Sequence, residues 1–238
     1  MLDIRINPHF QDLTMLWIQN LEYFIVSIIL FYSYLKNKNN VALFFGAAAL
    51  VSTVGYAIAG ISYQYFPDNF IVQAFASNII ANILFYAGFV FLLLGLLIIR
   101  LPQISLYIGI PVFLYGILAI TPYVVNFVPF TVMENGVIDF HHTFIDDFSQ
   151  FMFGVILVFG FSGVFFKTYT SLSDKLPAIF FGLGFVSVIF LPAITASTSG
   201  VIAYYLHYGV IFGGFCHIVG LLLSAAHKPR VLSEQKAL

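Results

Sequence analysis

Apolar residues run along this chain in long blocks, and short polar breaks separate the blocks. Each block is about 20 residues long and apolar on all sides, the length a helix needs to cross a bilayer. A barrel strand would show ~10-residue stretches of alternating polarity instead. Lipid offers the backbone no hydrogen-bond partners, so such a run bonds internally as a helix. The pattern predicts about seven segments, near residues 13–35, 41–63, 71–99, 104–125, 145–166, 177–195 and 201–226. The expected fold is an all-α integral membrane protein, a single helical bundle over residues 1–238. Segment three is long enough to tilt or to project beyond the lipid. Segment six is the shortest.

Prolines mark several boundaries. Pro102 and Pro177 sit where a first turn would start, a place that loses nothing by lacking an N–H. Pro122 and Pro129 fall near and beyond the end of segment four. Pro111 inside segment four and Pro192 near the end of six are expected to kink their helices.

Composition agrees with the pattern. The chain is 61% hydrophobic and 8% charged, with a mean hydropathy of +1.00. A soluble domain carries roughly a quarter charged residues, so no sizeable aqueous domain is expected. The single cysteine, Cys216, excludes an intrachain disulfide. The first apolar stretch is broken by Gln19, Asn20 and Glu22 and ends at Lys36 and Lys38, which reads as a retained span and not a leader. The tail from His227 to Leu238 is too short for an output domain.

Charge sets an expected orientation. Lys36, Lys38, Arg100, Lys167, Lys175, Lys228, Arg230 and Lys236 all fall on one side of the predicted membrane, leaving only Arg5 of the nine basic residues on the other. Basic connections stay cytoplasmic, so the N-terminus is expected outside and the C-terminus in the cytoplasm of a multi-pass cell-membrane protein. Asp3, Asp12, Glu22, Asp68, Glu134, Asp139, Asp146 and Asp147 lie toward the outer face, and only Asp174 and Glu234 lie inside. The long outer loop, about 126–144, carries Asn135-Gly136 between β-branched runs, a signal for a short β-hairpin with a type I′ turn. Such a hairpin could cap the outer mouth of the bundle.

Polar groups inside a membrane are costly and mark candidate sites. Glu22 falls about 13 Å into segment one at 1.5 Å per residue, with Gln19 one turn away. Asn78 and Asn82 share a face of segment three. Gln150 lies near the outer end of segment five, and His207 with Tyr208 near the outer end of seven. One expectation is an outward-facing ligand pocket of Glu22, Asn78, Asn82, Gln150, His207 and Tyr208, with a Glu22–His207 pair at its sharpest. The bland alternative is a set of interhelical bonds of about 1 kcal/mol each.

His141, His142, Asp146 and Asp147 form the densest set of metal-type ligands, and imidazole with carboxylate suits zinc, copper or iron. Against that, Thr143 with Asp146 three residues on reads as a capping pair opening segment five. In segment seven, Gly209, Gly213, His217 and Gly220 fall near one line. This small-residue pattern lets another helix approach closely, with His217 expected to hydrogen-bond across the contact. A haem is disfavoured, because one haem could not use both His207 and His217, and no other segment interior offers a histidine.

The seven-segment topology resembles that of rhodopsins and G-protein-coupled receptors, but the residues depart from both. No lysine lies in segment seven to anchor retinal. Segment three closes as Ile98-Ile99-Arg100-Leu101-Pro102, and segment seven lacks Asn-Pro-x-x-Tyr. Segments one to four lack the histidine that membrane hydrolases of the ceramidase and adiponectin-receptor type place there. No phosphate loop, Cys-x-x-Cys pair or Gly-x-Ser-x-Gly elbow occurs, and nothing suggests nucleic-acid binding.

The functional expectation is a non-enzymatic membrane protein. It would bind a small ligand or lipid from outside, or serve as a subunit of a larger membrane complex or homo-oligomer. The glycine line of segment seven and the Phe-rich exterior are candidate partner surfaces. No cofactor is expected. Alternatives are a metal-binding membrane enzyme and a transporter with Glu22 as a proton or cation site, though no inverted repeat supports the latter.

Overall fold

A computed structural model describes residues 8–132, 138–139, 143–171, 175–196 and 201–226, apart from 102 and 104. Among them are seven helical rods: α1 (Pro8–Asn37), α2 (Asn40–Tyr65), α3 (70–100), α4 (Gly109–Val125), α5 (Phe144–Ser171), α6 (Leu176–Ala196) and α7 (Val201–Ala226). α3 joins three pieces, Phe70–Ala74, a π-helical stretch Phe75–Ala81 and Asn82–Arg100. Each rod coincides with one predicted apolar block. The five rods α1 to α5 carry stretches long and apolar enough to cross a membrane. The described parts of α6 and α7 add the shorter apolar stretches Leu176–Ile189 and Tyr208–Ser224. A multi-pass membrane protein fits this set.

Helix ends follow local chemistry. Asn39 caps α2 by accepting from the Val41 N–H at 3.0 Å. Lys38 takes the left-handed conformation, φ 52°, which lets α2 turn straight back along α1. Pro111 falls in the first turn of α4, because the helix starts at Gly109 after a 3₁₀ turn, Leu106–Ile108. A first-turn proline removes no helix bond, so the kink expected from an earlier start has no cause. Pro122 is the proline inside α4.

The rods close a ring. α1 packs on α2 and α7, α2 on α3, α3 on α5, α5 on α6 and α6 on α7, while α4 lies outside against α3 and α5. A core cluster joins Val26, Phe45, Leu96, Phe161, Phe185 and Ile189, drawn from five of the ring helices. A second cluster ties α3, α4 and α5 through Ile79, Tyr86, Ile120, Tyr123 and Phe153. A third, at the opposite end from the α1–α2 turn, centres on Tyr63, Ala74 and Phe130, with Leu13 and Leu16 beside them.

The tightest contact is α6 against α7. A Cβ at Gly220 would stand 2.7 Å from the Phe181 backbone nitrogen, and one at Gly213 would stand 2.5 Å from Ser187 Cβ. Gly209 meets Leu191, and Gly184 of α6 meets the Gly213 carbonyl and the His217 backbone. The glycine line is therefore used within the chain, packing α7 on α6, and is not left for a partner. His217 sets its ring against Phe181 and Phe185, at centroid distances of 5.1 and 6.1 Å. Its expected hydrogen bond across the contact is not made among the described residues, because the groups it faces are aromatic.

Two glycine substitutions separate close approach from helix propensity. Gly220→Ala is expected to force α6 from α7 and cost about 1–3 kcal/mol, since backbone atoms stand in the way. Gly160→Ala meets only Leu96 Cδ1 at 3.5 Å and should be neutral or stabilising. Thermal unfolding of the detergent-solubilised protein checks both.

Candidate functional site

Helix α5 opens at Thr143, whose hydroxyl accepts from the Asp146 N–H at 3.4 Å and whose carbonyl accepts from the Asp147 N–H at 3.0 Å. In a capping box the carboxylate at the third position would reach back to the cap residue's N–H. Here the Tyr123 hydroxyl takes that place, accepting from the Thr143 N–H at 3.2 Å. The Asp146 carboxyl is thereby released to point into the bundle, where the residue is 0% exposed.

Four side chains meet it there. Tyr86 donates to Oδ1 at 2.7 Å, and Gln150, Tyr123 and Asn82 donate to Oδ2 at 2.9, 3.1 and 3.3 Å. An unpartnered buried carboxyl would cost several kcal/mol, so these bonds are the condition for placing it here. The donors come from α3, α4 and α5, and the carboxyl fastens the three rods at one level. Aromatic rings wall the cluster: Tyr86 meets Phe153 edge-on at 5.6 Å, and Phe89 stacks on Phe153 at 5.7 Å. Gly116 of α4 makes room, since a Cβ there would stand 2.6 Å from Tyr86 Cγ.

The π-helical stretch of α3 feeds this cluster. At its end the Asn82 N–H bonds the Ile79 carbonyl. The Asn78 carbonyl instead receives the Asn82 side-chain amide at 3.1 Å. The same amide also reaches Asp146, so one side chain ties the π-helical stretch to the cluster.

The meeting also reveals an offset. Asn82 lies well along α3, whereas Asp146 lies at the start of α5, so α3 extends past α5 by about ten residues, or ~15 Å. The segment leaving α4 enters that notch with Phe127 and Phe130. Phe130 is 2% exposed against Tyr63 and Ala74. Thr131–Val132 (β1) pairs antiparallel with Ile138–Asp139 (β2), Thr131 opposite Asp139. The proposed Asn135-Gly136 tip lies outside the described residues.

Of the pocket residues expected from sequence, Asn82 and Gln150 meet through Asp146, and Asn78 joins them by its carbonyl. Glu22 does not join them. It lies at the α1–α7 contact, where a Cβ at Gly214 would collide with its carboxylate. The His207 side chain lies outside the described residues, so the Glu22–His207 pair does too. Gly214 is seven positions further along α7, about 10 Å on. Tyr208 is half exposed.

Of the four candidate metal ligands, Asp146 has its oxygens occupied by hydrogen-bond donors. Asp147 stands half-buried beside it. His141 and His142 lie outside the described residues, and among the described residues no three metal-ligating side chains gather. Tyr86, Tyr123 and Gly116 were not legible as site residues. The available signal was spacing, because Tyr86 follows Asn78 and Asn82 at successive four-residue steps. Comparison with protein-family models and with curated proteins gives no match.

Tyr86→Phe and Gly116→Ala should each cost about 1–3 kcal/mol, by removing or displacing one donor from a buried acceptor. In an Asp146→Ala background, Tyr86→Phe should cost far less. Thermal unfolding of the four proteins measures the coupling. Tyr123→Phe should in addition speed proteolysis between residues 126 and 143, because it releases Thr143.

Proposed function

We propose that this chain is a non-enzymatic seven-helix protein of the cell membrane, with its N-terminus outside, that receives a small ligand or lipid from the outer side at Glu22. The observation that carries this reading is the contrast between two carboxyl groups. Asp146 is filled by four donors, which suits a fastening role. Glu22 lies within an apolar helix, half-buried, and receives no hydrogen bond among the described residues. Its open acceptors suit a ligand that brings a cation or hydrogen-bond donors. Tyr23 and Tyr56, stacked at 5.3 Å, give it an aromatic flank.

The sidedness rests on the alternation of basic connections. Lys36 and Lys38 fall at the α1–α2 turn and Lys175 at the start of α6, while Asp68 falls at the opposite end, in the α2–α3 turn. The segment between α4 and α5 would then cap the outer mouth, a role supported by Phe130 wedged among α1, α2 and α3. Exposed apolar side chains such as Leu114, Leu118 and Val125 on α4 suit lipid contact. A partner membrane subunit that brings donors to Glu22 is the second reading, with the same carboxyl as its anchor.

Two experiments test the proposal. The single native thiol, Cys216, is fully buried and should stay silent to an impermeant maleimide on intact cells. Against that background Asp68→Cys should label and Asn39→Cys should not, and the reverse pattern would invert the orientation. Native mass spectrometry of the purified protein should show a bound small molecule, lipid or subunit. It should be lost in Glu22→Gln and kept in Tyr86→Phe. An adduct indifferent to Glu22→Gln, or none in the parent protein, removes the site.

A further inference from the structure

We propose that Gln73 and Ser77 of α3 form a buried hydration site that holds one water molecule, bridging the side-chain oxygens of the two residues.

Gln73 is 0% exposed. Its amide nitrogen donates to the Phe66 and Pro67 carbonyls, at 2.8 and 2.9 Å. These two bonds settle which end of the amide is which, because a flipped group would set an oxygen against both carbonyls. Oε1 therefore faces the other way, and it is buried with no partner among the described residues. A carbonyl oxygen can only accept, so whatever meets it must donate.

Ser77 supplies the second half. Its hydroxyl is likewise buried and without a partner among the described residues. Buried helix hydroxyls usually bond back to their own helix, as Ser149 does to Ile145 and Ser162 to Val158, each at 2.7 Å. Ser77 lies in the π-helical stretch Phe75–Ala81 and makes no such bond among the described residues. Gln73 and Ser77 are four positions apart on one rod, so they share a side of it.

Two orphaned polar oxygens on one side of a helix are rare in a folded interior. A single water satisfies both, donating to Gln73 Oε1 and either donating to or accepting from Ser77 Oγ. Two to four polar partners are what a structural water needs. The bound water would fix the π-helical stretch to the α2–α3 turn, just ahead of Asn78 and Asn82.

The sign of one substitution decides the matter. If the oxygens are dry, Ser77→Ala removes an unsatisfied hydroxyl and unfolding temperature holds or rises. If a water bridges them, Ser77→Ala lowers it by about 2–4 °C, the shift of one hydrogen bond in a chain of this size. That loss should shrink in a Gln73→Met background, where the bridge is already gone. An unchanged or raised value in Ser77→Ala, or an equal loss in both backgrounds, overturns the proposal. So does an experimental density map fine enough to show ordered water that lacks a peak within about 3.2 Å of both oxygens.

Discussion

The structure depends on how a carboxyl group is held where little else is polar. Asp146 sits at 0% exposure near the start of its helix, surrounded by aromatic rings. It is tolerable there only because four neutral donors converge on its two oxygens. Each donor is positioned by a separate local event: a π-helical stretch brings in Asn82, a missing Cβ at Gly116 admits Tyr86, and the end of α4 presents Tyr123. The Gln150 amide comes from one turn further along α5. Removing Tyr86 strands Oδ1, and removing any of the other three thins the donors on Oδ2, so the three rods α3, α4 and α5 are coupled through one carboxyl.

Elsewhere the bundle relies on close contact and apolar volume. α6 and α7 meet through glycines at backbone distance, where dispersion contacts are dense and directionless. Phe161 and Phe185 stack at 3.9 Å in the ring's main cluster. Between α1 and α2 the Asn20 amide donates to the Thr53 carbonyl at 2.7 Å. This division assigns register to the polar cluster on one side of the ring and to glycine contacts on the other. The offset between α3 and α5 leaves a notch, which the segment after α4 enters with Phe127 and Phe130. The tyrosine that completes the Asp146 cluster also holds the return of that segment at Thr143, so site and segment share one side chain.

Part of the site was legible because polar residues stand out in apolar runs. Asn78, Asn82 and Gln150 violate the pattern of their segments, and the fold brings them to one place. Tyr86 and Tyr123 do not violate it, because a tyrosine ring passes for an apolar residue until its hydroxyl finds an acceptor. Asp146 was visible, both as a candidate metal ligand and as the partner of Thr143 in a helix cap. Its neighbours His141, His142 and Asp147 suggested a ligand cluster, whereas its side chain turns inward toward other helices. Gly184 escaped notice because its role exists only against the glycines of α7.

The amino-acid sequence by itself determined the seven helical rods, their extents to within five residues and the helix cap at Thr143. Those follow from local quantities: the length of an apolar run, the place of a proline, the residue before a first turn. The tertiary structure alone decided which polar groups share a partner, that α4 lies outside the ring, and that Glu22 faces α7 while Asp146 faces α3. Helical periodicity assigns each side chain a direction around its own axis. It carries no information on the rotation and offset of one axis against another, and those are set by where glycines let backbones touch and where a buried acceptor gathers its donors.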